Sequence, residues 1–159
     1  MKPASLLRTK MERFDFSNPP IDPIELAKIL TETMLKEKGI GLAANQLNLP
    51  FNVFVIKSNP VICAFNPRIV DYSGDEVYLE EGCLSYPGLV VKIKRPEKVR
   101  VRFTQPNGET ITQEYHGLTA RTVQHEIDHL NGIVFYERAT RIHKDRAFRQ
   151  WNVWKKRNK

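Results

Sequence analysis

Apolar positions recur along this chain with two different periods, and the switches between them divide it into segments. Leu26, Ile29, Leu30 and Met34 fall at i, i+3, i+4 and i+8, which is one stripe of an amphipathic helix. Asp22 as N-cap, Pro23 at the first helical position and Glu25 three residues after the cap start that helix. With Gly39 as its stop, it is predicted over residues 22–38. From residue 51 to 115 the pattern breaks into strand-like runs: 51–56, 61–65, 76–79, 89–93 and 98–103. Pro60, Pro67, Gly74, Pro87, Pro96 and Pro106 punctuate them. Val99, Val101 and Phe103 alternate with Lys98, Arg100 and Arg102, as in a strand with one buried and one wet face. Asn107-Gly108 supplies hairpin chemistry into a strand over 110–115. The helical period returns at Leu118, Val123, Ile127 and Leu130, with Gly132 as stop. A last helix is expected over about 142–156, with Phe148, Trp151 and Trp154 three apart opposite many basic residues.

These elements predict an α+β domain: short antiparallel strands packed around the 118–131 helix, with an N-terminal and a C-terminal helix. A chain of 159 residues suits one hydrophobic core. We expect an arm over 1–15, a catalytic body over 16–137 and a basic tail over 138–159. The formal charge of +7 sharpens that division. Residues 1–136 carry 16 basic and 16 acidic side chains, whereas 137–159 carry nine and two. The body is neutral and the tail holds the excess, so polyanion binding should separate from catalysis on truncation. Two cysteines, Cys63 and Cys83, exclude a disulfide framework while allowing one bridge. The start of the chain has no apolar signal region and no run is long enough to span a bilayer, which favours a cytoplasmic protein without stable membrane association. A short organellar presequence is the weaker alternative, resting on Glu12 being the one acid in residues 1–14.

The candidate chemistry lies in three segments. Gln124-His125-Glu126-Ile127-Asp128-His129 contains HExxH on a predicted helix. Four-residue spacing sets both imidazoles on one face to bind one metal, with Glu126 in reach of a bound water. A hydrolytic metal takes a third protein ligand. The metzincin extension needs a His where Phe135 stands, and the acids beyond His129, Glu137 and Asp145, lie too close for the thermolysin pattern. Cys83, in Glu81-Gly82-Cys83-Leu84-Ser85, is the remaining candidate, which a cation would hold as thiolate. Cys63 reads as a small buried hydrophobe. The third segment, residues 39–46, is GIGLAANQ. Its small residues allow close backbone approach, and the Gln46 amide can donate to a developing oxyanion.

GIGLAANQ, EGCLS and QHEIDH, in that order, resemble the three signature motifs of the peptide deformylase family, and the resemblance covers roughly residues 16–137. It implies removal of the N-formyl group from the N-terminal formylmethionine of nascent polypeptides, releasing formate. Cys83, His125 and His129 would bind one divalent metal ion, ferrous iron foremost, with zinc, nickel or cobalt also able to occupy the site. Glu126 would be general base and then acid, and Gln46 with the Leu84 backbone N–H would stabilise the oxyanion. The Ile40-Gly41 and Pro87-Gly88 backbones would pair with an extended peptide. Leu118, the Arg121 stem, Thr122 and His125 would line the methionine pocket. Asp128 would orient Arg95 or Arg102.

The tail from Arg138 to Lys159, basic and interleaved with aromatics, suits ribosomal RNA near the exit tunnel. The competing expectation is that its aromatics pack on the domain while its charges are solvated. A metalloendopeptidase and an RNA-binding module with a vestigial site are the rival classes.

Overall fold

Four consecutive buried residues in strand β2 (Val53–Ile56) explain how the sheet is covered on both sides. Side chains alternate along a strand. Val53 and Val55 accordingly face Leu26, Leu30 and Met34 of helix α1 (Pro23–Lys36), while Phe54 and Ile56 face Ala120, Val123 and Ile127 of helix α2 (Gly117–Leu130). The computed structural model describes residues 4–158, so the outermost residues of the expected arm and tail lie outside it. Strands β1 (Gly41–Ala43), β2, β3 (Ile62–Gly82), β4 (Val90–Thr104) and β5 (Thr110–His116) form one antiparallel sheet in that order. Helix α3 (Arg141–Arg157) closes the chain.

The α+β expectation holds, with three local corrections. The runs expected at 61–65 and 76–79 are one strand, β3, and those at 89–93 and 98–103 are one strand, β4. Pro67 and Gly74 do not end β3, because the pairing slips past them at register shifts between Phe65 and Arg68 and between Ser73 and Glu76. Pro96 sits opposite Glu76 at the edge of such a shift, where a missing N–H is tolerated. At the end of α1 the left-handed residue is Lys38, with φ of 57°, not Gly39. Gly39 is small for another reason: a Cβ there would lie 2.8 Å from Leu84 Cδ1.

The arm packs on the body. Leu7, Met11 and Phe14 are buried, and Met11 N–H donates to the Leu130 carbonyl at 2.8 Å. The tail packs on the body as well. Ala147, Phe148 and Trp151 join Leu89, Val91, Val134 and Phe135 in a third cluster, so deletion past Tyr136 would uncover core. Truncation there would remove core contacts together with the basic charge.

Candidate metal centre

Helix α2 carries most of the polar machinery, and it is buried over 11 of its 14 residues, Ala120 through Leu130. Its HExxH spacing places the His125 and His129 rings 4.9 Å apart on one face. Cys83 arrives from the turn after β3, its Sγ 3.3 Å from His129 Nε2. Cys83, His125 and His129 offer ligand atoms all within 4.8 Å of one another. Two imidazoles and one sulfur suit a borderline divalent cation and leave a coordination position free for water or substrate. Phe135 stacks near His125 instead of ligating, its ring centroid 5.5 Å away.

The second tier of the site was not legible beforehand. Glu81 is buried, and its Oε1 accepts from His125 Nδ1 at 2.9 Å and from Arg95 Nη2 at 3.0 Å. Its Oε2 accepts from Arg95 Nε and Arg121 Nη1, each at 2.7 Å. An ionised carboxylate only accepts, so His125 carries a proton on Nδ1 and leaves Nε2 as the nitrogen available to a metal. Burial works against ionisation of Glu81, yet the His125 and Arg95 bonds outweigh it and hold its pKa down at about 2. Arg95 continues through Nη1 to Asp128 at 2.8 Å, and Arg138 closes the other side of Asp128 at 2.7 Å. Asp128 thus orients Arg95; Arg102 is exposed on β4 and takes no part. The available signal for Glu81 was the pair Glu80-Glu81 in an alternating strand, where one of two adjacent acids must point inward.

Glu126 lies against the rim of the same cavity. Its Oε2 is buried without a hydrogen-bond partner. Burial and then the Glu81 charge raise its pKa to about 7, against the opposing pull of His125 and Arg95. A Cβ on Gly41 would stand 2.6 Å from Glu126 Oε1 and 2.9 Å from Thr122 Cγ2, which is why position 41 is glycine. The two imidazoles are driven apart. Burial disfavours charge on both, but hydrogen bonds to Cys83 and Glu81 lift His125 to about 10, while burial and the His125 charge press His129 well below its ordinary value. The field of Cys83, Glu81 and Glu126 therefore favours one positive charge among the ligand atoms, and a cation fits that demand.

The remaining candidates surround a cavity of about 380 Å³. Ile40, Gly41, Gln46, Cys83, Leu84, Pro87, Leu118, Arg121, Thr122, His125 and Glu126 line it. Gln46 Oε1 accepts from Ala43 N–H at 2.9 Å, which aims its NH₂ at Ser85 Oγ, 3.1 Å away, and toward Cys83 Sγ at 3.6 Å. Ser85 and Asn45, whose Nδ2 donates to the His129 carbonyl at 2.6 Å, are further buried supports missed in the sequence. Leu118 is 63 % exposed, so ordinary helix packing does not explain it. Thr122 donates its hydroxyl to the Leu118 carbonyl at 2.9 Å, and the Arg121 guanidinium is spent on Glu81 and the Val77 and Ile93 carbonyls. Gly88 is not on the cavity wall; it lies beneath Trp154. Cys63 stays outside the site as a free thiol pushed up to about 12 by burial.

The family model for polypeptide deformylase matches residues 2–145. The chain is 41% identical over 145 residues to a peptide deformylase of Desulforudis audaxviator, covering 89% of this chain and 92% of that relative. It is 42% identical over 125 residues to one of Natranaerobius thermophilus, covering 76% and 80%. Among solved structures, a Synechococcus elongatus peptide deformylase in complex with actinonin superposes with a TM-score of 0.86 at 31% identity, covering 94% of this chain and 85% of that one. Arabidopsis thaliana peptide deformylase 1B in complex with an inhibitor also gives 0.86, at 30% identity, covering 99% and 92%.

Proposed function

The chain belongs to the polypeptide deformylase family, and on that premise we infer that it removes the N-formyl group from the N-terminal formylmethionine of nascent polypeptides. The reaction is a metal-dependent hydrolysis that releases formate. The observation that carries this reading is the meeting of Cys83, His125 and His129 within 4.8 Å beside a buried, partly unpartnered Glu126. Cys83, His125 and His129 would hold ferrous iron, with zinc, nickel or cobalt able to replace it. When bound, the cation would acidify a water and polarise the formyl oxygen.

This chain's own groups do the rest. Glu126, with a carboxyl lifted to about 7, accepts a proton from the attacking water and delivers it to the departing nitrogen. The Gln46 NH₂ and the Leu84 N–H would donate to the oxygen on which negative charge develops. Gln46 is already aimed by its bond to Ala43, so little reorganisation accompanies the reaction. Among the described residues β1 is an edge strand with no strand neighbour on its outer side, so backbone at and just before its start, Ile40-Gly41, is offered to an extended peptide; Pro87 also lines the cavity, with Gly88 next to it in the chain. Leu118, the Arg121 stem and Thr122 receive the methionine side chain.

We place the reaction in the cytoplasm; no helix among the described residues is long and apolar enough to cross a membrane. The exposed cations Arg146, Arg149 and Arg157 of α3 would meet ribosomal RNA. Reversing these three charges should abolish salt-sensitive co-sedimentation with ribosomes, and unchanged binding would remove that contact.

The test of the activity is purification without oxygen, measurement of bound metal, and assay of formate release from formyl-Met-Ala-Ser. Formate release that falls on exposure to air is the expected result for an iron–thiolate site. Internal cleavage of unformylated peptides with no formate released would favour an endopeptidase instead.

A further inference from the structure

The segment between Cys83 and Leu89 joins two parts of the site. At one end stand the ligand Cys83 and the Leu84 N–H, tied down through Ser85 Oγ to Gln46. At the other end stand Pro87 and Gly88. Proline has no N–H, and Gly88 has φ of 79°, so this end has little backbone bonding of its own. Its neighbours make tight turns, Tyr86 N–H to the Cys83 carbonyl and Leu89 N–H to the Tyr86 carbonyl. Among the described residues, the hydrogen bond that reaches Pro87 comes from α3: Trp151 Nε1–H donates to the Pro87 carbonyl at 2.8 Å. One turn further on, the Trp154 ring covers Gly88 so closely that a Cβ there would lie 2.4 Å from a ring carbon.

Trp151 is itself held in place. Its ring meets Phe148 edge-on at 5.7 Å and Tyr86 at 6.3 Å, and Ala147 and Phe148 seat α3 on Leu89, Val91 and Phe135. The indole N–H therefore comes from a fixed helix to an otherwise weakly fixed rim of the substrate cavity.

We propose that α3 positions this rim: Trp151, through the Pro87 carbonyl, and Trp154, through its cover over Gly88, hold the Pro87-Gly88 backbone where the downstream part of a formyl peptide passes. Both are positioning residues, since neither lines the cavity. The proposal rests on the deformylase reading and adds to it that a helix outside the cavity wall holds part of the peptide-binding rim in place. The consequence is selective. Loss of the indole N–H loosens binding of residues beyond methionine while leaving the reacting groups of α2 untouched.

Trp151→Phe retains an aromatic ring against Tyr86 and Phe148 and removes the donor. The variant should raise KM for formyl-Met-Ala-Ser about two- to tenfold, the range for one lost hydrogen bond, with kcat and bound metal unchanged. KM for formyl-methionine amide, which has no downstream residues, should not move. Amide hydrogen exchange, read without turnover, should quicken at Gly88 and Leu89 and not along α2. Trp154→Ala, at an exposed position, should show the same pattern and serves if Trp151→Phe does not fold. Unchanged exchange at Gly88 and Leu89 overturns the proposal. So does an equal rise in KM for both substrates, or a fall confined to kcat. If the parent protein releases no formate from either substrate, the deformylase reading fails, and the proposal fails with it.

Discussion

Helices α2 and α3 are 14 and 17 residues long, and in α2 eleven side chains are buried whereas in α3 only Ala147 is. The contrast runs against the usual sorting by polarity. α2 buries Arg121, Gln124, His125, Glu126, Asp128 and His129, while α3 leaves Ile142 and Val153 in water. Burying a polar group is costly unless it is paired. In α2 the pairing is nearly complete, through Glu81, Arg95 and Arg138, and the atoms left over, Glu126 Oε2 and His129 Nδ1, are on residues of the candidate metal centre. In α3 the charges stay solvated and a few aromatics make the contact. One helix carries chemistry because its polar groups are desolvated and held; the other contributes by bracing what lies beside it.

The sharpest way to break this comparison is at Glu126. Glu126→Ala should retain metal and lose about a thousandfold in formate release, the scale of a general acid–base contribution. An active variant would sink the mechanism.

Glu81→Ala comes next. It leaves Arg95 and Arg121 buried without their shared partner and should cost about 3–5 kcal/mol in urea unfolding, with metal affinity about 10- to 100-fold lower. A related test uses acid. The folded-state pKa of Glu81, about 2, lies below its ordinary 4.5. Its contribution is therefore fully present above about 4.5 and lost as pH falls from there toward 2, on the order of 3 kcal/mol in all. Glu81→Gln should flatten the unfolding free energy across that window, and an unchanged slope would show that other carboxylates carry it.

On the α3 side the effects shrink. Phe148→Ala should lower stability by about 2 kcal/mol, read from thermal or urea unfolding, because a half-buried ring leaves the third cluster. Reversing Arg146 and Arg149, both exposed, should leave the thermal midpoint and formate release unchanged. A large loss from that pair would mean that α3 is held by charge and not by its aromatics.

Much of this was legible from the sequence because the signals are local. The HExxH spacing selects one helix face by geometry alone, and β4 alternates as written, with Val99, Val101 and Phe103 buried. Position 41 is different. Its glycine reads as a loosely motivated small residue until Glu126 and Thr122 are seen pressed against it. Strand breaks were misplaced at Pro67, Gly74 and Pro96 because the same residues that end a strand also sit at register shifts, and only the partner strand decides between the two.

The charge count shows the division most clearly. The sequence by itself determined that residues 1–136 are neutral, that the excess of +7 lies after them, and which residues could ligate a metal, since composition and spacing are properties of the chain alone. Only the tertiary structure decided that Glu81, 44 residues from His125, accepts from that imidazole's Nδ1, and that Trp151, 64 residues from Pro87, ties the tail to the cavity rim. Desolvation and hydrogen bonding act through space, so which charges are buried and which aromatics brace the site is settled by contacts far apart in sequence.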